Sequence, residues 1–155
     1  MSNLRKQVIK LAKENPGLRG VLVPLLREKT AMVSGKAFVA PTAFVEVAAL
    51  VADRARVTGK AKVFAKAKVY GNAEVYGDAW VYDNAKVYDN AKVWGFVLGD
   101  AEVYGNAQIY GKARVNGNAR IYGNTYIQDN AQVGEYALVY GKAKVWGNAW
   151  VYGNA

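Results

Sequence analysis

One six-residue sentence dominates this chain. From Val69 to Lys92 it is written four times: Val-Tyr-Gly-Asn-Ala-Glu, Val-Tyr-Gly-Asp-Ala-Trp, Val-Tyr-Asp-Asn-Ala-Lys and Val-Tyr-Asp-Asn-Ala-Lys. The period holds well beyond that stretch. Valine or isoleucine stands at every sixth position from Val33 to Val93, and again from Val97 to Val151. Alanine follows each of them four residues later, except that Thr125 replaces it once and no alanine falls between Val93 and Val97. A fixed short period of this kind specifies a solenoid before any local propensity is weighed.

Each hexad reads as a short strand and a corner. The Val or Ile points inward and its two neighbours point out, because successive side chains on a strand alternate. The β-branched residue suits the strand and stacks on its counterparts in adjacent coils. Gly-Asn, Asp-Asn and Gly-Lys pairs then make the corner, since glycine and asparagine accept left-handed backbone angles. The alanine fits where the interior has room only for a methyl group. Asp83, Asp89 and Asp129 stand at the corner position usually filled by glycine. The expectation for them is a local cap on their own turn.

This hexad resembles the repeat of the hexapeptide-repeat, acyltransferase-like proteins: aliphatic residue, variable positions, small residue. The resemblance covers residues 33–155. It implies a mainly β fold, a left-handed parallel β-helix of about seven triangular coils, three hexads to a coil of 18 residues. Handedness and the triangular section come from the resemblance; parallel crossovers are otherwise mostly right-handed. At ~4.8 Å per coil the prism would stand roughly 30–35 Å tall.

Ahead of the repeats lies a different kind of sequence. Leu4, Val8, Leu11 and Ala12 fall on one helical face after a cap at Ser2 or Asn3. Asn15-Pro16-Gly17 ends that helix. Leu18, Val21, Leu22, Leu25 and Leu26 outline a second, short or kinked by Pro24. The expected domains are an N-terminal helical cap over 1–32 and the β-helix over 33–155. The cap would close one open end of the prism, where bare strand edges recruit other chains. At the other end the repeat runs to Ala155, inside a hexad. Either the chain is cut short there or its last coil meets another copy end to end.

The period breaks once. Ten residues separate Val93 from Val103, where twelve would keep the rhythm. Either a corner has lost two residues, or residues 93–96 carry a four-residue loop insertion. The missing alanine favours the insertion, with Trp94 and Phe96 protruding. The choice decides which outward aromatics line up. With an insertion, Phe64, Tyr82, Tyr104, Tyr122 and Tyr140 share a wall. With a deletion the wall is Tyr70, Tyr88, Tyr104, Tyr122 and Tyr140. Such a ladder shields a sheet, joins subunits, or stacks sugars or bases.

Charge and composition narrow the function. Hydrophobic content of 52% supports a packed core, and no apolar run approaches the ~20 residues of a membrane span. No secretory signal is evident, so a cytoplasmic protein is expected. The formal charge is +9, of which +6 belongs to the first 36 residues. Arg54, Arg56, Lys60, Lys62, Lys66 and Lys68 look like a nucleic-acid patch until they are wrapped. Arg56, Lys62 and Lys68 lie six apart and so on three different faces. They form a belt, which does not suit a nucleic-acid surface.

The chemistry is mostly a matter of what is missing. The enzymes this repeat resembles use a histidine as general base for acyl transfer, or three histidines around zinc. This chain has no histidine and no cysteine. No cofactor, metal site or catalytic residue is assigned, and an enzyme is the lesser expectation. Four threonines form no ice-binding array. The reading is a non-catalytic oligomeric scaffold or binding module. The resemblance implies a homotrimer, with a dimer of trimers through the C-terminal coil as the specific expectation. The alternative is capture of a small anionic ligand, a nucleotide or coenzyme A-like molecule, in clefts between subunits. A degenerate or atypical acyltransferase falls under the same alternative. Candidate ligand residues are Arg56, Lys62 and Lys68 for charge, and Tyr82, Tyr104, Tyr122 and Trp94 for stacking.

Overall fold

A computed structural model describes Gln7, Lys10, Leu11, Lys13, Glu14, Asn15, Gly17 and residues 31–155. Two compact units divide the chain, Met1–Thr30 and Ala31–Ala155. Most of the expected helical cap, including Leu4, Val8 and the second apolar face, lies outside the described residues.

The second unit is a parallel β-solenoid. Twenty-one two-residue strands run from β1 (Met32–Val33) to β21 (Trp150–Val151). They form three parallel sheets of seven strands, and every third strand joins the same sheet. Sheet A begins with β1, sheet B with β2 (Phe38–Val39) and sheet C with β3 (Phe44–Val45). One strand from each sheet makes a coil, numbered 1 to 7 along the chain.

The inward column is the one the period dictates. Val51 through Val133 and the alanines beside them have no accessible surface. Strand-to-strand register is valine on valine or isoleucine, as in Val51↔Val69 and Val87↔Val103. Burying a branched side chain contributes roughly 1.5–3 kcal/mol, repeated at every hexad. The core is thus a stack of near-identical triangles.

Most corners are built on one left-handed residue. Glycine fills most of these positions, but Asp53, Asp83, Asp89 and Asp129 take φ near 60° as well. Contrary to the expectation from sequence for Asp83, Asp89 and Asp129, these carboxylates do not cap their own turn. Each accepts the N–H of the left-handed glycine one coil on: Gly71 on Asp53 at 3.0 Å, Gly99 on Asp83 at 3.2 Å, Gly105 on Asp89 at 3.1 Å, Gly147 on Asp129 at 3.0 Å. In the left-handed conformation the side chain aims along the solenoid axis, so the nearest donor belongs to the next coil. The aspartates therefore tie coils together and offset the cost of their strained backbone.

At the break, the expected loop over 93–96 is absent. Phe96–Val97 is strand β12, paired with Trp80–Val81 on one side and Arg114–Val115 on the other. The corner has lost two residues, and Lys86 pairs with Glu102, only 16 residues on. Gly95 takes the place of the missing alanine. Its carbonyl accepts the Trp80 N–H at 3.0 Å, as the Ala79 carbonyl accepts that of Lys62 at 2.8 Å one coil earlier. A Cβ on Gly95 would lie 2.7 Å from the Ala113 oxygen and 2.9 Å from Ile109 Cγ2, so alanine does not fit. Trp94 fills the missing corner with its indole, which lies directly over Gly77.

Candidate functional site

Outward-facing side chains sort into two aromatic surfaces of opposite character. The first runs along the corner between sheets A and B. Tyr70, Tyr88, Tyr104, Tyr122 and Tyr140 stack there at centroid spacings of 4.9, 4.9, 5.0 and 5.5 Å. This is the wall expected from a shortened corner. Successive planes differ by only 2–12°, so each inner ring has both faces against a neighbour. Beside the rings runs an amide ladder, Asn72 to Asn90 to Asn106 to Asn124, with N···O distances of 3.2, 3.2 and 3.0 Å. Burial pushes the phenols of Tyr70, Tyr88 and Tyr104 above the ordinary tyrosine range. The neighbouring Glu102 adds to the rise at Tyr88, whose hydroxyl lies 3.5 Å from that carboxylate. Lys86 bonds the same carboxylate at 2.8 Å and is held protonated by it. These groups are locked as neutral phenols and a paired ammonium, which makes them poor bases.

The second surface is the outer face of sheet C. Its first strand positions stack as Phe44, Lys62, Trp80, Phe96, Arg114, Gln132 and Trp150. Here the rings are tilted. Trp80 meets Phe96 at 58° and Phe64 at 72°. Cations lie on the ring faces: Lys62 Nζ is 4.6 Å from the Trp80 centroid, and the Arg114 guanidinium 5.6 Å from that of Phe96. Such contacts contribute about 0.5–1 kcal/mol each at exposed sites. All four tryptophans of the chain belong to this face or to the corner before it, with Trp80 37%, Trp94 47%, Trp146 67% and Trp150 71% exposed. Phe44, Glu46, Lys62, Phe64 and Trp80 border a shallow cleft.

The residues singled out from sequence do not meet in one chain. Arg56 lies on sheet B over the Phe38 ring, Lys62 on sheet C and Lys68 on sheet A, so the belt encircles the solenoid. Tyr104 and Tyr122 are neighbours in the tyrosine ladder. Tyr82 stacks instead on Phe64 at 5.1 Å, along the corner between sheets C and A. Trp94 leans on Tyr76 at 5.6 Å. The column of sheet C is not visible in the residue after each inward valine, which carries the aromatic ladder. The signal was the residue before it: Phe44, Lys62 and Trp80 stand 18 apart, and Phe96 follows at 16.

Among the described residues no group of histidine, cysteine, aspartate or glutamate is placed to hold a metal, and no helix is long and apolar enough to cross a membrane. What the arrangement offers chemically is packing surface, cation–π contacts and charge.

Comparison with known proteins agrees with the repeat. The family model described as the YdcK β-solenoid repeat matches residues 67–83 and 107–120, both inside the solenoid. Comparison with curated proteins finds no match. Among solved structures, the acetyltransferase domain of PglB from Neisseria gonorrhoeae FA1090, in complex with acetyl coenzyme A, is similar at 16% identity and a TM-score of 0.34, over 85% of this chain and 63% of that one. A mutant GDP-perosamine N-acetyl transferase from Caulobacter crescentus, in complex with CoA and GDP-perosamine, is similar at 17% identity and a TM-score of 0.27, over 83% and 58%. The chain spans less than two thirds of either acetyltransferase chain.

Proposed function

We propose that this protein is a non-catalytic β-solenoid that works as a self-associating scaffold, with sheet C as its contact surface. The observation that carries this reading is the gathering of all four tryptophans on one face and its border, each at least one-third exposed. Tryptophan is a residue of interface centres, where its large apolar area is desolvated and its N–H still finds a partner. Sedimentation velocity with light scattering tests the reading. An assembly of defined mass at micromolar concentration is expected; a compact monomer overturns it.

A second reading is favoured by one cluster. Lys60, Lys62 and Lys66 border sheet C within a single coil, next to Phe44 and Phe64. Such a group suits a small anion with a ring, a nucleotide or a coenzyme A-like molecule, as a degenerate acyltransferase would retain. Thermal-shift titration with nucleotides and acyl-coenzyme A separates this from a purely structural role. Unchanged melting at millimolar ligand removes it.

A further inference from the structure

Taking self-association through sheet C as the starting point, we propose that its occupant is a second copy of this chain lying antiparallel, on a two-fold axis that passes through Phe96. The reason is the order of charges along the face. In coil 2, Lys60, Lys62 and Lys66 stand on the strand and its two bordering corners. Coil 3 carries Asp78 and Asp83 around Trp80. Coil 4 is the short one, with Trp94, Phe96 and Asp100. Coil 5 is basic again, with Lys112 and Arg114, and coil 6 is acidic, with Asp129 and Glu135 around Gln132.

An isologous contact between two copies of one face requires each group to meet its complement under the symmetry operation. A two-fold axis in the plane of contact, perpendicular to the solenoid, reverses coil order. It also keeps each corner over the same corner of the partner. Set at coil 4, it brings coil 2 over coil 6 and coil 3 over coil 5. Lys60 then faces the partner's Asp129, and Lys66 faces the partner's Glu135. Asp78 faces the partner's Lys112. Trp80 receives the partner's Arg114, a second cation on a ring that is still one-third exposed. Phe96 packs on its own counterpart at the centre, beside the exposed Trp94 pair.

Neither neighbouring register on this face does as well. Sliding one copy by a coil sets Lys62 over Arg114 in one direction and Asp83 over Glu135 in the other. Turning the axis parallel to the solenoid sets each coil over itself with its two corners exchanged, so Lys60 meets the partner's Lys66 and Lys62 meets its own counterpart. Like charges directly opposed across an interface are what such surfaces select against. The chosen register carries one flaw, since Asp100 faces the partner's Asp100 across the axis. The pattern lies in coils 2 to 6 and does not depend on where the chain starts or stops.

Cysteine placement tests orientation directly, because the native chain has no cysteine. Lys66→Cys and Tyr136→Cys both sit on the corner after sheet C, in coils 2 and 6. With a short thiol-to-thiol linker, a mixture of the two variants is expected to give a covalent heterodimer, and neither variant alone to give one. Linkage of Lys66→Cys to itself, or no linkage in a mixture that sediments as an assembly, overturns the antiparallel arrangement and leaves the scaffold reading standing. A monomeric native chain overturns both. Asp100→Asn is conservative, since an amide oxygen can still accept from Asn84 as the carboxylate does at 2.9 Å. It is expected to tighten self-association several-fold. Unchanged or weaker association contradicts the position of the axis. Asp78→Lys is expected to weaken association at least tenfold, and adding Lys112→Asp to restore it; a double variant no better than the single one contradicts the pairing.

Discussion

The tyrosine ladder and the face of sheet C are made from the same hexad, and they put their aromatic rings to different uses. In the ladder, the residue after each valine stacks flat on its counterpart in the next coil, and the ring faces are consumed inside the molecule. On sheet C, the residue before each valine is a mixture of rings and cations, the rings tilt, and much of their surface stays open. Ring count alone does not mark a binding surface. Plane angle and neighbour do: a ladder at 2–12° leaves edges and hydroxyls for solvent, which suits shielding and not the stacking of sugars or bases. The ladder accordingly suits stability, and sheet C suits the recognition role proposed for it.

The contrast breaks most visibly at the middle of the ladder. Tyr104→Ala removes two stacks at 4.9 and 5.0 Å and a half-buried ring. It is expected to cost about 3 kcal/mol, read as a lower midpoint in chemical denaturation, with assembly retained. Next in size is the short corner that sets the spacing of both surfaces. Gly95→Ala forces a methyl against the Ala113 carbonyl and Ile109, and about 2 kcal/mol of stability should be lost through overpacking. Gly95→Ala with undiminished stability would mean that the corner is looser than its contacts indicate.

Two smaller effects sharpen the ladder side. Thr125 stands where other hexads have alanine, at the end of the corner that carries Tyr122, and its buried hydroxyl has no hydrogen-bond partner. Replacing that hydroxyl by a methyl in Thr125→Val should raise stability by about 1 kcal/mol. Loss of stability instead would show that the hydroxyl is satisfied in solution. Alkaline titration gives the last effect. The phenols of Tyr70, Tyr88 and Tyr104 are raised chiefly by burial. Their contribution to folding is therefore intact below the unfolded tyrosine pKa of about 10 and is lost as pH climbs through the raised folded values. The melting temperature should fall over that interval, with part of the phenolate absorbance appearing only as the protein unfolds.

The solenoid was legible because its signal is redundant: each inward valine repeats the message of the last, and Ala49 to Ala137 mark the tight interior in phase with it. Its one irregularity was misread for a physical reason. Alanine marks the small position in most other hexads, whereas Gly95 fills that place where no methyl fits. Reading the small position as alanine or glycine would have given the shortened corner and, with it, the observed ladder. The corner aspartates were placed correctly but given the wrong partner, because left-handed geometry aims Asp83 and Asp89 along the axis, into the next coil. Sheet C is hidden in the sequence for a related reason. Lys62 reads as one member of a basic belt along the chain, and only wrapping sets it between Phe44 and Trp80. The proposed contact surface depends on neighbours one coil away, whereas the fold is written in neighbours six residues away.

The division of labour between the two surfaces is tested most directly by sedimentation velocity on the native chain beside Trp80→Ala and Tyr104→Ala, at equal concentration and below every melting temperature. The native chain and Tyr104→Ala should sediment as a dimer, and Trp80→Ala as a folded monomer. A compact native monomer, or a Trp80→Ala variant that remains assembled, would contradict the assignment of sheet C as the contact surface.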